Sequence, residues 1–158
     1  MGQEIWYPLF SGGATKERKD KMVAIVCLDD KNGMCFNGRR QSRDVCLRSC
    51  VMDLAKGKRL WMSPYSAEQF AEAEGGQICV STSFLEEAGP GDYAFVEDRA
   101  LAPFAEKLEK LVVFRWNRVY PGDQYLDLDL TKGPWRKTEE RDFPGKSHER
   151  ITMEVYTR

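Results

Sequence analysis

Residues 22–44, MVAIVCLDDKNGMCFNGRRQSRD, decide the fold. Val23 to Leu28 is an apolar, β-branched run of strand length, and its lack of polar alternation marks a buried strand. The Asp-Asp-Lys-Asn-Gly turn at 29–33 ends it. A loop carrying Arg39, Arg40 and Arg43 follows, and Ser42 or Asp44 can cap a helix running to about Lys56. A polar loop that leaves a central strand and opens a helix is a common ligand position in α/β proteins.

Outward from this unit the chain alternates strand and helix. Val45, Leu47, Val51, Leu54 and Ala55 supply the apolar side of the first helix. Lys58 to Met62 reads as the second strand, Ser63-Pro64 opens a helix to about Ala73, and Gly75-Gly76 stops it before a third strand from Gln77 to Ser81. Leu85 to Ala88 is one helical turn, Tyr93 to Glu97 a fourth strand, Pro103 to Lys110 a short helix, and Leu111 to Trp116 a fifth strand. Further strands are expected at Tyr125 to Leu130, Trp135 to Arg141 and Glu149 to Tyr156, where turns as short as Phe143-Pro144-Gly145-Lys146 leave room only for antiparallel pairing. The expected class is α/β, with a mixed sheet that is parallel first and antiparallel toward its C-terminal strands.

A chain of 158 residues, 42% hydrophobic, fits one domain. It spans 22–158, and residues 1–21 read as an N-terminal arm or linker with an aromatic patch from Ile5 to Phe10. Basic and acidic residues number 24 and 25, so no global field draws the protein to double-stranded nucleic acid or to an anionic membrane. No apolar run approaches the roughly 20 residues that span a bilayer, and no secretory signal pattern opens the chain, so the expected location is cytoplasmic. The five cysteines lack Cys-x-x-Cys spacing and read as reduced, mostly buried thiols. A single histidine excludes any histidine-cluster metal centre, and no metal is expected. That residue, His148, reads as an exposed turn histidine, and Asp127 and Asp129 read as one face of an alternating strand.

Two segments carry candidate chemistry. Arg39, Arg40, Gln41, Ser42, Arg43 and Asp44 gather guanidinium forks at a helix start, a combination suited to phosphate or carboxylate. Arg115, Trp116, Asn117, Arg118 and Tyr120 interleave cations with aromatic faces after the fifth strand, as nucleotide binders do. Each segment follows an expected strand of the sheet.

In the order of its elements, the chain from Met22 to Arg158 resembles dihydrofolate reductase. The strings that carry the resemblance are Gly33-Met34, Asp44, Lys110 to Phe114, Gly122-Asp123, Trp135 and Ser147-His148-Glu149. It implies that Asp44 is the acidic residue facing a pterin and that the two segments border one cleft; the cofactor stays open, with NADP the one the resemblance offers. Several positions depart from the family pattern. No Gly-Gly pair follows Val96-Glu97-Asp98-Arg99, the family's cofactor arginine is missing from Ser63-Pro64-Tyr65-Ser66 although Ser66 keeps a hydroxyl, Arg48 replaces an apolar wall residue, and Phe114 replaces the threonine that bonds the aspartate. With Arg43 and Arg48 near it, Asp44 reads as an ionised helix cap or ion-pair partner. The chain also resembles small bacterial proteins labelled ribonuclease Z, but one histidine cannot build that two-zinc site.

The expectation is therefore a divergent dihydrofolate-reductase-like protein that binds an anionic small molecule, nucleotide or pterin-like, near the Arg39 to Asp44 loop without ordinary reductase activity. Two other readings stay open: an NADPH-dependent reductase with Asp44 as proton relay, and a protein-interaction or inhibitory module with a protein partner.

Overall fold

The computed structural model describes residues 21–70 and 77–158. The arm at 1–20 and the Gly75-Gly76 helix stop lie outside the described residues.

The centre of the molecule is β1 (Met22–Leu28), buried along its whole length. It lies parallel to β6 (Tyr93–Val96) on one side and to β7 (Leu108–Arg115) on the other, with Val26 opposite Val96 and Cys27 opposite Phe114. Beyond β6 come β4 (Leu60–Met62) and β5 (Ile78–Val80), also parallel. Beyond β7, β10 (Ile151–Thr157) and β9 (Arg136–Phe143) complete the sheet in antiparallel fashion. The order is β5-β4-β6-β1-β7-β10-β9, the expected parallel block with an antiparallel end.

Each face of this sheet is covered, which is why β1 reads as a continuous apolar run. Val23, Ile25 and Cys27 meet α1 (Val45–Leu54) through Leu47 and Val51, together with Phe70, Phe95 and Phe114. Full burial of Leu47 and of Val51 contributes about 1.5–3 kcal/mol each. Met22, Ala24, Val26 and Leu28 face the opposite side, against Phe84 and Leu85 of α3 (Phe84–Glu87), Leu101, Leu126 and Trp135. A shorter helix, α2 (Pro64–Ala67), is capped by Ser63 and continues as a 3-10 turn over Glu68–Phe70. No helix among the described residues is long and apolar enough to cross a membrane.

Several local expectations change. The arginine loop is partly a hairpin: β2 (Gly33–Phe36) pairs with β3 (Arg39–Arg40), and β2 also pairs with β8 (Gln124–Tyr125) in a separate small sheet. Asn37 and Gly38 turn this hairpin with positive φ, the Asn-Gly signal of a tight two-residue loop. The strand expected from Tyr125 to Leu130 stops after Tyr125, because Asp127 turns aside to accept the N–H groups of Leu101 and Ala102 and Asp129 accepts that of Thr131. The segment after Leu101 is a 3-10 helix over Ala102–Lys107, and β7 therefore starts earlier, at Leu108. On the outer edge, β9 exposes Arg136 through Asp142, so the sheet ends in a charged strand whose outer side has no partner strand among the described residues.

Candidate functional site

The carboxyl ends of β1, β6 and β7 deliver Asp29, Glu97 and Trp116 to one rim of the sheet, where open α/β sheets form their crevices. Asp29 fastens this rim together. Its carboxylate accepts Lys31 N–H and Gly33 N–H in the turn, Gln41 Nε2 from the hairpin exit, and Tyr120 N–H from the loop after β7. Burial pushes its carboxyl up, but these donors outweigh that effect and hold it below the ordinary value. The signal was legible as an Asx turn in Asp-Asp-Lys-Asn-Gly; the long-range bond to Tyr120 was not.

Asp44 is the N-cap of α1, with extended φ and ψ of −154° and 132°, and Oδ1 accepts Cys46 N–H at 2.8 Å. The loop before β10 closes over the same carboxylate. Lys146 N–H reaches Oδ1 at 3.1 Å, while Ser147 N–H at 2.7 Å, Ser147 Oγ at 2.9 Å and His148 Nδ1 at 3.2 Å reach Oδ2. Burial acts to raise the Asp44 carboxyl, and the donors from Lys146, Ser147 and His148 reverse this, holding it well below the usual carboxylate range. Asp44 is thus an ionised helix cap, as its sequence context predicts, but the side chain that meets it is the His148 imidazole, through Nδ1, and not Arg43 or Arg48.

This overturns the reading of His148 as an exposed turn residue: its side chain is 3% exposed. The ring stacks on Trp116 at 4.5 Å between centroids, and Nε2 lies 3.1 Å from Ser42 Oγ and 3.0 Å from Tyr120 Oη. With Asp44 ionised, the network assigns the Nδ1–H tautomer, which leaves the Nε2 lone pair directed at two hydroxyl groups. Nothing local in Ser147-His148-Glu149 announces this, because the partners come from about 30 and 100 residues away in the chain.

Gly145 makes the closure possible. A Cβ on it would lie 2.7 Å from Asp44 Oδ2 and 2.8 Å from His148 O, distances that force the loop outward. Gly145→Ala is expected to cost about 1–3 kcal/mol, the scale of overpacking, measured as a lower urea midpoint.

A second polar cluster occupies the end of β6. Glu97 accepts Arg40 Nε at 2.9 Å and Nη2 at 3.2 Å, Ser66 Oγ at 2.8 Å and Gln69 Nε2 at 2.9 Å. Arg40 also lies 4.2 Å over the Tyr65 ring. Burial lowers the Arg40 pKa, and the bonds to Glu97 more than restore it. Burial first, and then the Glu97 charge, push the neighbouring Cys27 thiol up, so this cysteine is an unreactive thiol.

Of the second predicted segment, Tyr120 reaches the arginine loop. Arg39, Arg40, Ser42, Arg43, Tyr65, Tyr120, Ser147 and His148 line one groove of about 420 Å³. On the other side of His148, Trp116, Asn117, Arg118 and Arg150 line a second groove of about 630 Å³. Several predicted ligand contacts are internal ties instead. Arg40 and Ser66 are engaged by Glu97, and Gln41 bridges Asp29 and Pro121 O. Arg115 pairs with Glu154 at 3.1 Å and reaches Asn32, which turns it away from the His148 groove. Asn117 bonds Arg150 O and Thr152 Oγ1, and Arg118 lies 5.7 Å over the Tyr120 ring. Arg48, on α1, lines neither groove. Arg39 and Arg43 line the smaller groove with no carboxylate partner among the described residues. His148 and Ser147 are the functional candidates that sequence reasoning missed.

No family model matches the chain, and no curated protein matches it by sequence. Among solved structures it is similar to a dihydrofolate reductase from Enterococcus faecalis complexed with NADP(H) and RAB-propyl. The TM-score is 0.62 at 10% identity, over 89% of this chain and 97% of that one. The fold is therefore dihydrofolate-reductase-like.

Proposed function

We propose that the protein binds an anionic small molecule, nucleotide or pterin-like, in the groove between the Arg39 to Asp44 segment and Tyr120, without ordinary reductase activity. The observation that carries this reading is the pair Arg39 and Arg43, which face a groove bordered by the Tyr65 and Tyr120 rings and have no carboxylate partner among the described residues. Guanidinium forks beside aromatic faces suit a planar ring that carries phosphate or carboxylate. The similar reductase is complexed with NADP(H), and that cofactor is the first ligand to try.

Two features favour binding over pterin reduction. The Asp44 oxygens are taken up by Cys46, Lys146, Ser147 and His148, whereas a proton relay needs a carboxyl whose proton affinity lies nearer neutrality. At the end of β6, where the resemblance calls for a Gly-Gly phosphate cradle, stands the carboxylate of Glu97, bonded to Arg40. That ion pair stands in place of the backbone cradle, so the proposed anion sits at Arg39 and Arg43 instead.

Trp116, stacked on His148 beside the groove, provides the signal. Titration with NADPH, and separately with pyrophosphate, is expected to change tryptophan fluorescence saturably. The double variant Arg39→Ala/Arg43→Ala should weaken binding by more than about a hundredfold, since bonds to charged groups contribute about 1.5–3 kcal/mol each. An unchanged affinity in the double variant sinks the proposal, as does turnover of dihydrofolate that is lost in Asp44→Asn.

A further inference from the structure

We propose that Ser42, His148 and Asp44 form a nucleophilic relay that cleaves a carboxylic ester whose acyl part bears an anionic group. The anionic part of this assignment rests on the groove reading above; the relay rests on its own geometry.

Three distances carry it. Asp44 Oδ2 to His148 Nδ1 is 3.2 Å, His148 Nε2 to Ser42 Oγ is 3.1 Å, and the same Nε2 to Tyr120 Oη is 3.0 Å. A nucleophile within reach of a base, and a base oriented by a third group, is the arrangement that activates serine, and it is recognised by geometry and not by position in the sequence. The His148 and Asp44 side chains are almost fully buried, at 3% and 0% exposure, which protects the pair from water, while Ser42 is half-buried and lines the groove. The ring is fixed on both sides, by the Trp116 stack and by the edge of Tyr120, so its orientation is set before any ligand arrives. Ser147 also touches Nδ1, but it donates to Asp44 and to Arg43 O, which makes it a positioning residue.

The reaction balances without a further reagent than water. Ser42 Oγ attacks the ester carbonyl carbon as its proton passes to His148 Nε2. The imidazolium is held by the Asp44 carboxylate, which stays ionised throughout. The tetrahedral adduct collapses, the C–O bond to the alcohol breaks, and the alkoxide takes the proton from Nε2. Water then attacks the acyl-Ser42 carbonyl, gives a proton to Nε2, and Ser42 departs with that proton as the carboxylic acid leaves. Arg39 and Arg43 lie along the same groove to hold the anionic end of the acyl part. The two hydroxyl groups divide the work: once Nε2 is protonated, Tyr120 Oη can accept from it.

The test combines covalent labelling with turnover. A fluorophosphonate is expected to add to Ser42 in the folded protein, as a mass increase located to the peptide containing residues 42–44, and to fail to add in Ser42→Ala. The nitrophenyl monoester of a dicarboxylic acid should be hydrolysed faster than nitrophenyl acetate, with the rate falling about a hundredfold or more in Ser42→Ala. Ser42 is half-buried and loses one polar contact, so this variant keeps the fold, checked by circular dichroism. Absence of labelling, or labelling at Tyr120 or Ser147, overturns the relay. Saturable anion binding by fluorescence without labelling overturns the relay alone. Labelling with no preference for the anionic ester overturns the anionic assignment alone.

Discussion

Asp44→Ala is expected to unfold at a markedly lower urea midpoint, with about 3–5 kcal/mol lost at pH 7, because several buried donors lose their acceptor at about 1–3 kcal/mol each. Five contacts lose their acceptor at once: Cys46 N–H, Lys146 N–H, Ser147 N–H, Ser147 Oγ and His148 Nδ1. For a domain of this size the melting temperature should fall by about 10 °C. The same carboxylate makes stability depend on acid. Its folded pKa lies below its unfolded value, so its contribution is fully present above the ordinary carboxylate pKa of about 3.9 and is lost as pH falls toward the folded value. Asp29 and Asp92 are lowered as well, each against the opposing effect of burial, and act in the same sense. Among these carboxylates the contribution should therefore be flat from about pH 5 to about pH 8 and be lost steeply below about pH 4. Asp44→Ala should show a shallower acid limb, because one of the three carboxylates is gone. An acid limb of unchanged slope would show that the Asp44 contacts do not stabilise the fold.

The second large effect belongs to Glu97. Glu97→Ala leaves the guanidinium of Arg40, which is 17% exposed, without its carboxylate, and strands Ser66 Oγ and Gln69 Nε2 beside it. A loss of about 3 kcal/mol is expected at neutral pH. The double variant Glu97→Leu/Arg40→Met, which removes both charges and refills the volume, should recover most of that loss, since the desolvation cost of the pair disappears with it. Full additivity of the two single losses in the double variant would contradict the described pairing.

The scaffold was legible because it depends on local rules. The apolar run at β1, the Asp44 cap, Pro64 at the start of α2 and the short turns before β9 and β10 each act within a few residues, and each stands where expected. The arginine loop misled because guanidinium-rich sequence does not distinguish an arginine that meets solvent from one that meets Glu97 or Glu154. That distinction is made by strands 57 and 39 residues away. His148 misled for the same reason in reverse: a lone polar residue in a Pro-Gly turn reads as exposed, and only the approach of β10 to α1 buries it. The Asp44 position was found by resemblance of order, while its role was decided by contacts with residues more than 100 positions later.

Those separations also govern how the protein comes into being. The array of Ser42, Asp44, Tyr120 and His148 closes contacts across 28, 104 and 106 residues, and β10 enters the sheet between β7 and β9 instead of adding to an edge. Loop closure of that length is slow, and its entropy is met only when several strands pair together. The hydroxyl and imidazole groups therefore depend for their meeting on the alignment of β1, β7 and β10. A partly folded chain carries the arginines but not the site.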